Sequence, residues 1–261
     1  MAPSLAVQRT TAGPSLREAV SPAEWAARVD LAAAYRLVAH YGWDDLIYTH
    51  ISARVPGEDA HFLINPFGMF FHEITASSLV KVDLDGAIVS PTAYSINKAG
   101  YVIHSAVHAA RHDVGCVIHL HTDDGAAVSA QAEGLLPLTQ TAMIALASLA
   151  YHEFEGIALD TGERQRLVAD LGDKCLMILR NHGTLSAGRD VPAAFVQMFM
   201  LERACAMQVR ALAGGRALSL PAPEVQEVVK RQVAKSRDTG FTLAWPGLLR
   251  LLDAKDPSYR D

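Results

Sequence analysis

The sequence predicts one α/β domain, a sheet with helices on both of its faces. Strands and helices alternate from about residue 97 onward, with no linker-like stretch and no internal repeat. Two pairs of short β-rich runs precede them, each closed by a turn, and these argue for an antiparallel or mixed sheet. The chain has 261 residues, 50% hydrophobic and 20% charged, which is enough apolar surface for a single large core.

The elements follow in order. Residues 1–20 have no continuous apolar run after a basic start and read as a mobile arm ahead of a domain over 21–261. Ser21-Pro22-Ala23-Glu24 is a capping box with proline at the first helical position, and Gly42 is placed to end that helix. Residues 47–55 read as a strand, Pro56-Gly57-Glu58-Asp59 as a turn and 61–65 as its partner. A second pair is predicted over 79–83 and 87–90 through Asp85-Gly86. Further on, helices are expected over 99–111, 123–132, 142–150, 163–171 and 191–213, and strands over 115–121 and 175–180. Two separate helices, near 224–235 and 247–254, are expected to close the chain.

Composition excludes several functions. With 23 basic and 28 acidic residues the net charge is −5, against the basic excess of a nucleic-acid binder. The longest uncharged stretch, 134–152, is broken by Pro137, Thr139, Gln140 and Thr141, so no membrane partner is expected. Three distant cysteines, Cys116, Cys175 and Cys205, form neither a disulfide framework nor a metal pair and point to a reducing, cytoplasmic setting.

The eleven histidines carry the chemical signal. His119 and His121 end an apolar strand, and residues two apart on a strand share a face, so both imidazoles can reach one Zn²⁺ or Fe²⁺ ion. Chance alone gives about half an HxH pair in such a chain, so the placement at a strand end matters more than the spacing. His182, in Arg180-Asn181-His182-Gly183, follows a second apolar strand in a sharp turn. Three histidines from two strand ends would leave open coordination positions, the pattern of a catalytic site rather than a structural one. His104 and His108, four apart on the helix over 99–111, could form a second metal pair or support the first from behind.

These motifs, with Gly42…Thr49-His50-Ile51-Ser52-Ala53-Arg54, Ile64-Asn65-Pro66-Phe67-Gly68 and residues 74–83, resemble the class II aldolase/adducin family in the same order. The resemblance spans about 25–212 and implies an α/β/α fold with a central mixed, largely antiparallel sheet. It also implies a homotetramer and one metal held by His119, His121 and His182. Aldolases of the family carry a catalytic glutamate nineteen residues before the first of these histidines, and here that position is Gly100. Their phosphate-holding serines fall on Lys98 and Ala99, a pocket threonine falls on Phe67, and the asparagine of the Asn-x-Ser motif is His50.

The resemblance therefore carries the fold and the metal further than it carries sugar-phosphate cleavage. Tyr101, Glu155 and His50 are the candidates to replace the missing acid–base group, with Glu153 beside them. Lys98, Asn65 and Phe67 are the candidates for substrate contact, and Tyr259 of a neighbouring subunit could add to the site. The leading expectation is a zinc-dependent lyase on a small hydroxycarbonyl, hydroxy-acid or keto-acid compound. The alternatives are an Fe²⁺ oxygenase or oxidative decarboxylase on the same histidines, and a non-enzymatic adducin-like scaffold.

Overall fold

The computed structural model describes residues 15–156 and 161–261, without the side chains of 98–99, 161, 236–239 and 241–242. Most of the expected arm, residues 1–14, lies outside the described residues; the rest begins a short helix, α1 (Leu16–Ala19). Helix α2 (Pro22–Tyr41) starts and stops as its caps predict: Ser21 Oγ accepts from Glu24 N–H at 3.1 Å, and Gly42 takes the left-handed conformation at φ 68°.

Among the described residues, seven strands form one sheet. They are β1 (His50–Val55), β2 (Glu58–Ile64), β3 (Val80–Asp83), β4 (Cys116–Leu120), β5 (Leu149–His152), β6 (Leu176–Leu179) and β7 (Gly183–Gly188). Their order across the sheet is β3-β2-β1-β4-β7-β6-β5. Every pairing is antiparallel except β5 with β6. The remaining helices are α3 (Lys98–Ala110), α4 (Asp123–Ser129), α5 (Gln140–Leu146), α6 (Thr161–Leu171), α7 (Val191–Ala213) and α8 (Pro223–Asp253).

Alternation along the central strands sorts the two faces. Ile51, Ala53, Ile118 and Leu120 pack with α2, α7 and α8. Val117, Met177, Leu179, Leu185 and Ala187 pack with Ile103 and Val107 of α3 and with Leu167 and Leu171 of α6. His50, Ser52, His119 and His121 fall on the α3 side by the same alternation. The three layers α/β/α are therefore those expected. No helix among the described residues is long and apolar enough to cross a membrane.

Four local expectations change. The predicted helix over 142–150 ends at Leu146, and its last residues open β5, where Ala150 and His152 are buried at the sheet edge. Residues 183–188, to which the sequence assigns no strand, form β7; all six are buried between β4 and β6, so the polar–apolar alternation of a half-exposed strand is missing. The run 87–90 contributes one bridge, Val82 to Ile88, rather than a strand. The two closing helices are one helix that passes through Pro246. Packing outweighs the lost backbone hydrogen bond there: Trp245 Nε1 donates to Asp30 Oδ1 at 3.0 Å, and its ring lies 5.8 Å from that of Phe195.

Candidate metal centre

The end of β4 and the turn into β7 bring three imidazoles together. His119 Nε2 lies 3.0 Å from His121 Nε2, which lies 2.9 Å from His182 Nε2. Antiparallel pairing of β4 with β7 produces this meeting, since it places Leu120 opposite Thr184 and so the two strand ends side by side. Asn181 reaches the left-handed region at φ 55° to turn the chain, and Gly183 has no room for a side chain, because a Cβ would sit 2.3 Å from the Leu120 carbonyl oxygen. Thr49, just before His50, also has positive φ, at 66°. A β-branched residue in that region is strained, and such strain collects at functional sites.

The outer nitrogens fix the tautomers. His119 Nδ1 is 3.0 Å from the Thr184 carbonyl oxygen, which can only accept, so Nδ1 carries the hydrogen. His121 Nδ1 is 3.1 Å from the Asp45 carboxylate and donates in the same way. In the neutral rings both Nε2 atoms then present lone pairs to each other at 3.0 Å. No hydrogen bond can form between two bare acceptors; a cation placed between them relieves the repulsion. These three residues have ligand atoms within 4.8 Å of one another, and the outer carboxylate and carbonyl are the supports that metal-bound histidines ordinarily have. Burial holds His119 well below the usual imidazole range and His182 at about 4, with the neighbouring rings adding to both.

A cavity of about 270 Å³ opens onto the cluster, lined also by Tyr48, Thr49, His50, Asn97, Gly100 and Phe154. His50 is the one proposed acid–base residue that the fold brings there. Its ring is buried, with Nε2 3.3 Å from Asn97 Nδ2 and Nδ1 unpartnered, and burial lowers it to about 4. It occupies the space of a side chain at position 100: a Cβ on Gly100 would lie 1.8 Å from His50 Cε1 and 2.1 Å from Nε2. The glycine and the histidine are thus one arrangement.

The other expected residues stand elsewhere. The Tyr101 hydroxyl donates to the Asp83 carbonyl at 2.5 Å and is absorbed by the sheet edge, because its helix turns it toward β3. Glu155 points outward and pairs with Arg166, which lowers its carboxyl. Asn65 is buried against Tyr35, whose hydroxyl lies 2.9 Å from Asn65 Oδ1, and Phe67 is exposed away from the cavity. The Lys98 side chain lies outside the described residues. Tyr259 is buried in its own chain, donating to Asp253 Oδ1 at 2.8 Å. Among the described residues His104 and His108 belong to no metal-ligating cluster; Ser52 Oγ lies 2.7 Å from His104 Nδ1 and 2.8 Å from His108 Nε2.

Asp45 and the Thr184 carbonyl were not legible from spacing, because each lies dozens of residues from the histidine it supports. Asp45 leaves only a faint trace, an acidic pair between Trp43 and the strand that carries His50.

Residues 29–209 match the profile of the class II aldolase and adducin N-terminal domain. An aldolase class 2 family protein of Caulobacter vibrioides is 61% identical over 248 residues, covering 95% of this chain and 96% of that one. Mouse alpha-adducin is 50% identical over 189 residues, 71% of this chain and 26% of the adducin. The solved L-fuculose 1-phosphate aldolase of Glaciozyma antarctica superposes with a TM-score of 0.79 at 25% identity, covering 97% of this chain and 96% of that one. The profile covers more than half of the chain, and the Caulobacter relative aligns nearly end to end. The chain belongs to the class II aldolase and adducin family.

Proposed function

We propose that the protein is a metal-dependent lyase of the class II aldolase type, with His119, His121 and His182 holding a zinc ion. The observation that carries this reading is the pair of bare Nε2 acceptors facing each other at 3.0 Å, an arrangement that suits a cation. When bound, zinc in a three-ligand site supplies Lewis acidity to a carbonyl oxygen. The open positions suit a small compound with adjacent hydroxyl and carbonyl or carboxylate groups.

The chain's own residues supply the rest. Thr49 Oγ1 and His50 Nδ1 are buried polar atoms without partners, in residues that line the cavity. Asn97 Nδ2 can only donate, so His50 Nε2 accepts and the neutral ring carries its hydrogen on Nδ1, the atom that would give a proton and take it back. Tyr48 and Phe154, about half exposed, flank the opening. The reading carries with it the family's homotetramer and a cytoplasmic location.

Two points favour a second reading: the family resemblance places Gly100 where aldolases carry their glutamate, and identity to alpha-adducin is twice that to the fuculose-phosphate aldolase. A scaffold without catalysis would have both. The test is cleavage or proton exchange by zinc-loaded protein on a panel of unphosphorylated hydroxyketones and keto acids. Turnover lost in His119→Ala and His50→Ala is expected. A zinc-loaded wild type that is inert across the panel would move the reading to the scaffold, whereas iron content with acid-dependent oxygen uptake would move it to an oxygenase.

A further inference from the structure

Glu202 of α7 lies outside the cavity, yet it is bonded to both strand ends that carry the histidines. By sequence it reads as half of a polar Glu202-Arg203 pair on its helix. Instead it turns inward and is only 3% exposed. Thr184 Oγ1 donates to its Oε1 at 2.5 Å, and Thr122 Oγ1 donates to its Oε2. Thr184 is the residue whose carbonyl accepts from His119 Nδ1, and Thr122 directly follows His121. The Thr122 hydroxyl also accepts from Gly125 N–H at 3.0 Å, which caps α4. Gly125 leaves room for all of this: a Cβ there would sit 2.6 Å from Thr122 Oγ1 and 3.1 Å from Glu202 Oε1.

A buried carboxylate is costly to desolvate, and an apolar side chain of similar volume would pack α7 against the sheet at lower cost. What the carboxylate alone offers is two acceptors at a fixed separation, one for each strand end. We propose that Glu202 is a positioning residue for the histidine cluster. It holds the exit of β4 and the start of β7 at one spacing, and through Thr184 it fixes the rotation of the His119 ring. This rests on the reading of the three histidines as a metal site.

The test uses Glu202→Gln, Thr184→Val and Thr184→Ser in the full chain. Zinc affinity is measured by competition with a chromophoric chelator, and ligand geometry by the visible spectrum of the Co²⁺-loaded protein. Glu202→Gln and Thr184→Val are expected to weaken zinc binding by about 10- to 100-fold and to shift the Co²⁺ bands. Thr184→Ser, which keeps the hydroxyl, is expected to keep both wild-type values. Lowered melting temperatures with zinc affinity and Co²⁺ bands unchanged would overturn the proposal, leaving Glu202 a packing residue. If Glu202→Gln fails to fold, Thr184→Val decides alone, since valine keeps the shape of threonine without its hydroxyl. A wild type that takes up neither zinc nor cobalt would overturn the metal reading and this inference together.

Discussion

The His50 ring and the bare Cα of Gly100 occupy one volume between them. Even the smallest added side chain at position 100 collides with the ring, 1.8 Å from Cε1. Gly100→Ala should therefore push His50 out of its pocket and cost about 1–3 kcal/mol of stability, read by denaturant unfolding. His50→Ala should relieve most of that cost, so the double mutant should show a coupling of at least about 1 kcal/mol. Strict additivity would mean that the ring moves freely and that the two positions are independent. At this scale the sequence reveals what spacing encodes: His119 and His121 two apart on a strand, and His182 in a turn after another. Their supports are hidden because the chain separates them. Asp45 is 76 residues from His121 and Thr184 is 65 from His119. Glu202 left one readable sign, a carboxylate in line with Phe195 and Met198 on the apolar stripe of α7.

Between elements, the Tyr35 hydroxyl of α2 joins the first hairpin to its helix at the end nearest His50. It accepts from Ile51 N–H at 2.8 Å and from Asn65 N–H at 3.2 Å, where β1 and β2 stop pairing. Tyr35→Phe strands both buried donors, so a loss of about 2–4 kcal/mol is expected, measured as a shifted unfolding midpoint. A change below about 0.5 kcal/mol would show that water reaches these groups. Elements with their own local signal were legible. Helix α2 has its capping box and closing glycine, and the β1–β2 hairpin has its turn at Pro56–Gly57. Strands β5 and β7 were not, because their identity comes from the neighbours that bury them. The continuity of α8 was hidden as well, since Gly240 and Pro246 read as a break until Trp245 is seen packed against Phe195 and bonded to Asp30.

The whole molecule keeps an unusual number of imidazoles neutral. Burial lowers His108 to about 3 and His50 and His182 to about 4, and holds His104 and His119 well below the ordinary 6.5. Below pH 6.5 the unfolded chain takes up protons that the folded chain refuses. Their contribution is therefore complete above about 6.5 and is lost as the pH falls toward 3–4, at up to about 1.4 kcal/mol per pH unit for each group. Glu202 acts in the opposite sense: burial raises it to about 6, so the folded state takes its proton first and gains stability as the pH falls from 6 to 4.5. Asp30 is a second carboxyl raised by burial and His40 a sixth imidazole lowered by it, and two carboxyls against six imidazoles leave a net loss. The metal-free protein should melt at clearly lower temperature at about pH 5 than at about pH 7.5. Equal melting temperatures would mean that these rings are charged or hydrated in the fold.

The three-layer fold and the family follow from features spread along the chain, which is why they were visible without coordinates. The chemistry is concentrated in three rings and the contacts behind them. The most direct measurement is metal content per chain, by elemental analysis of wild type and His182→Ala purified without chelator or histidine tag. Close to one zinc per wild-type chain, lost in the variant, is the predicted result. No metal in either protein after zinc supplementation would contradict the metal centre and leave the three histidines as a polar cluster in an adducin-like scaffold.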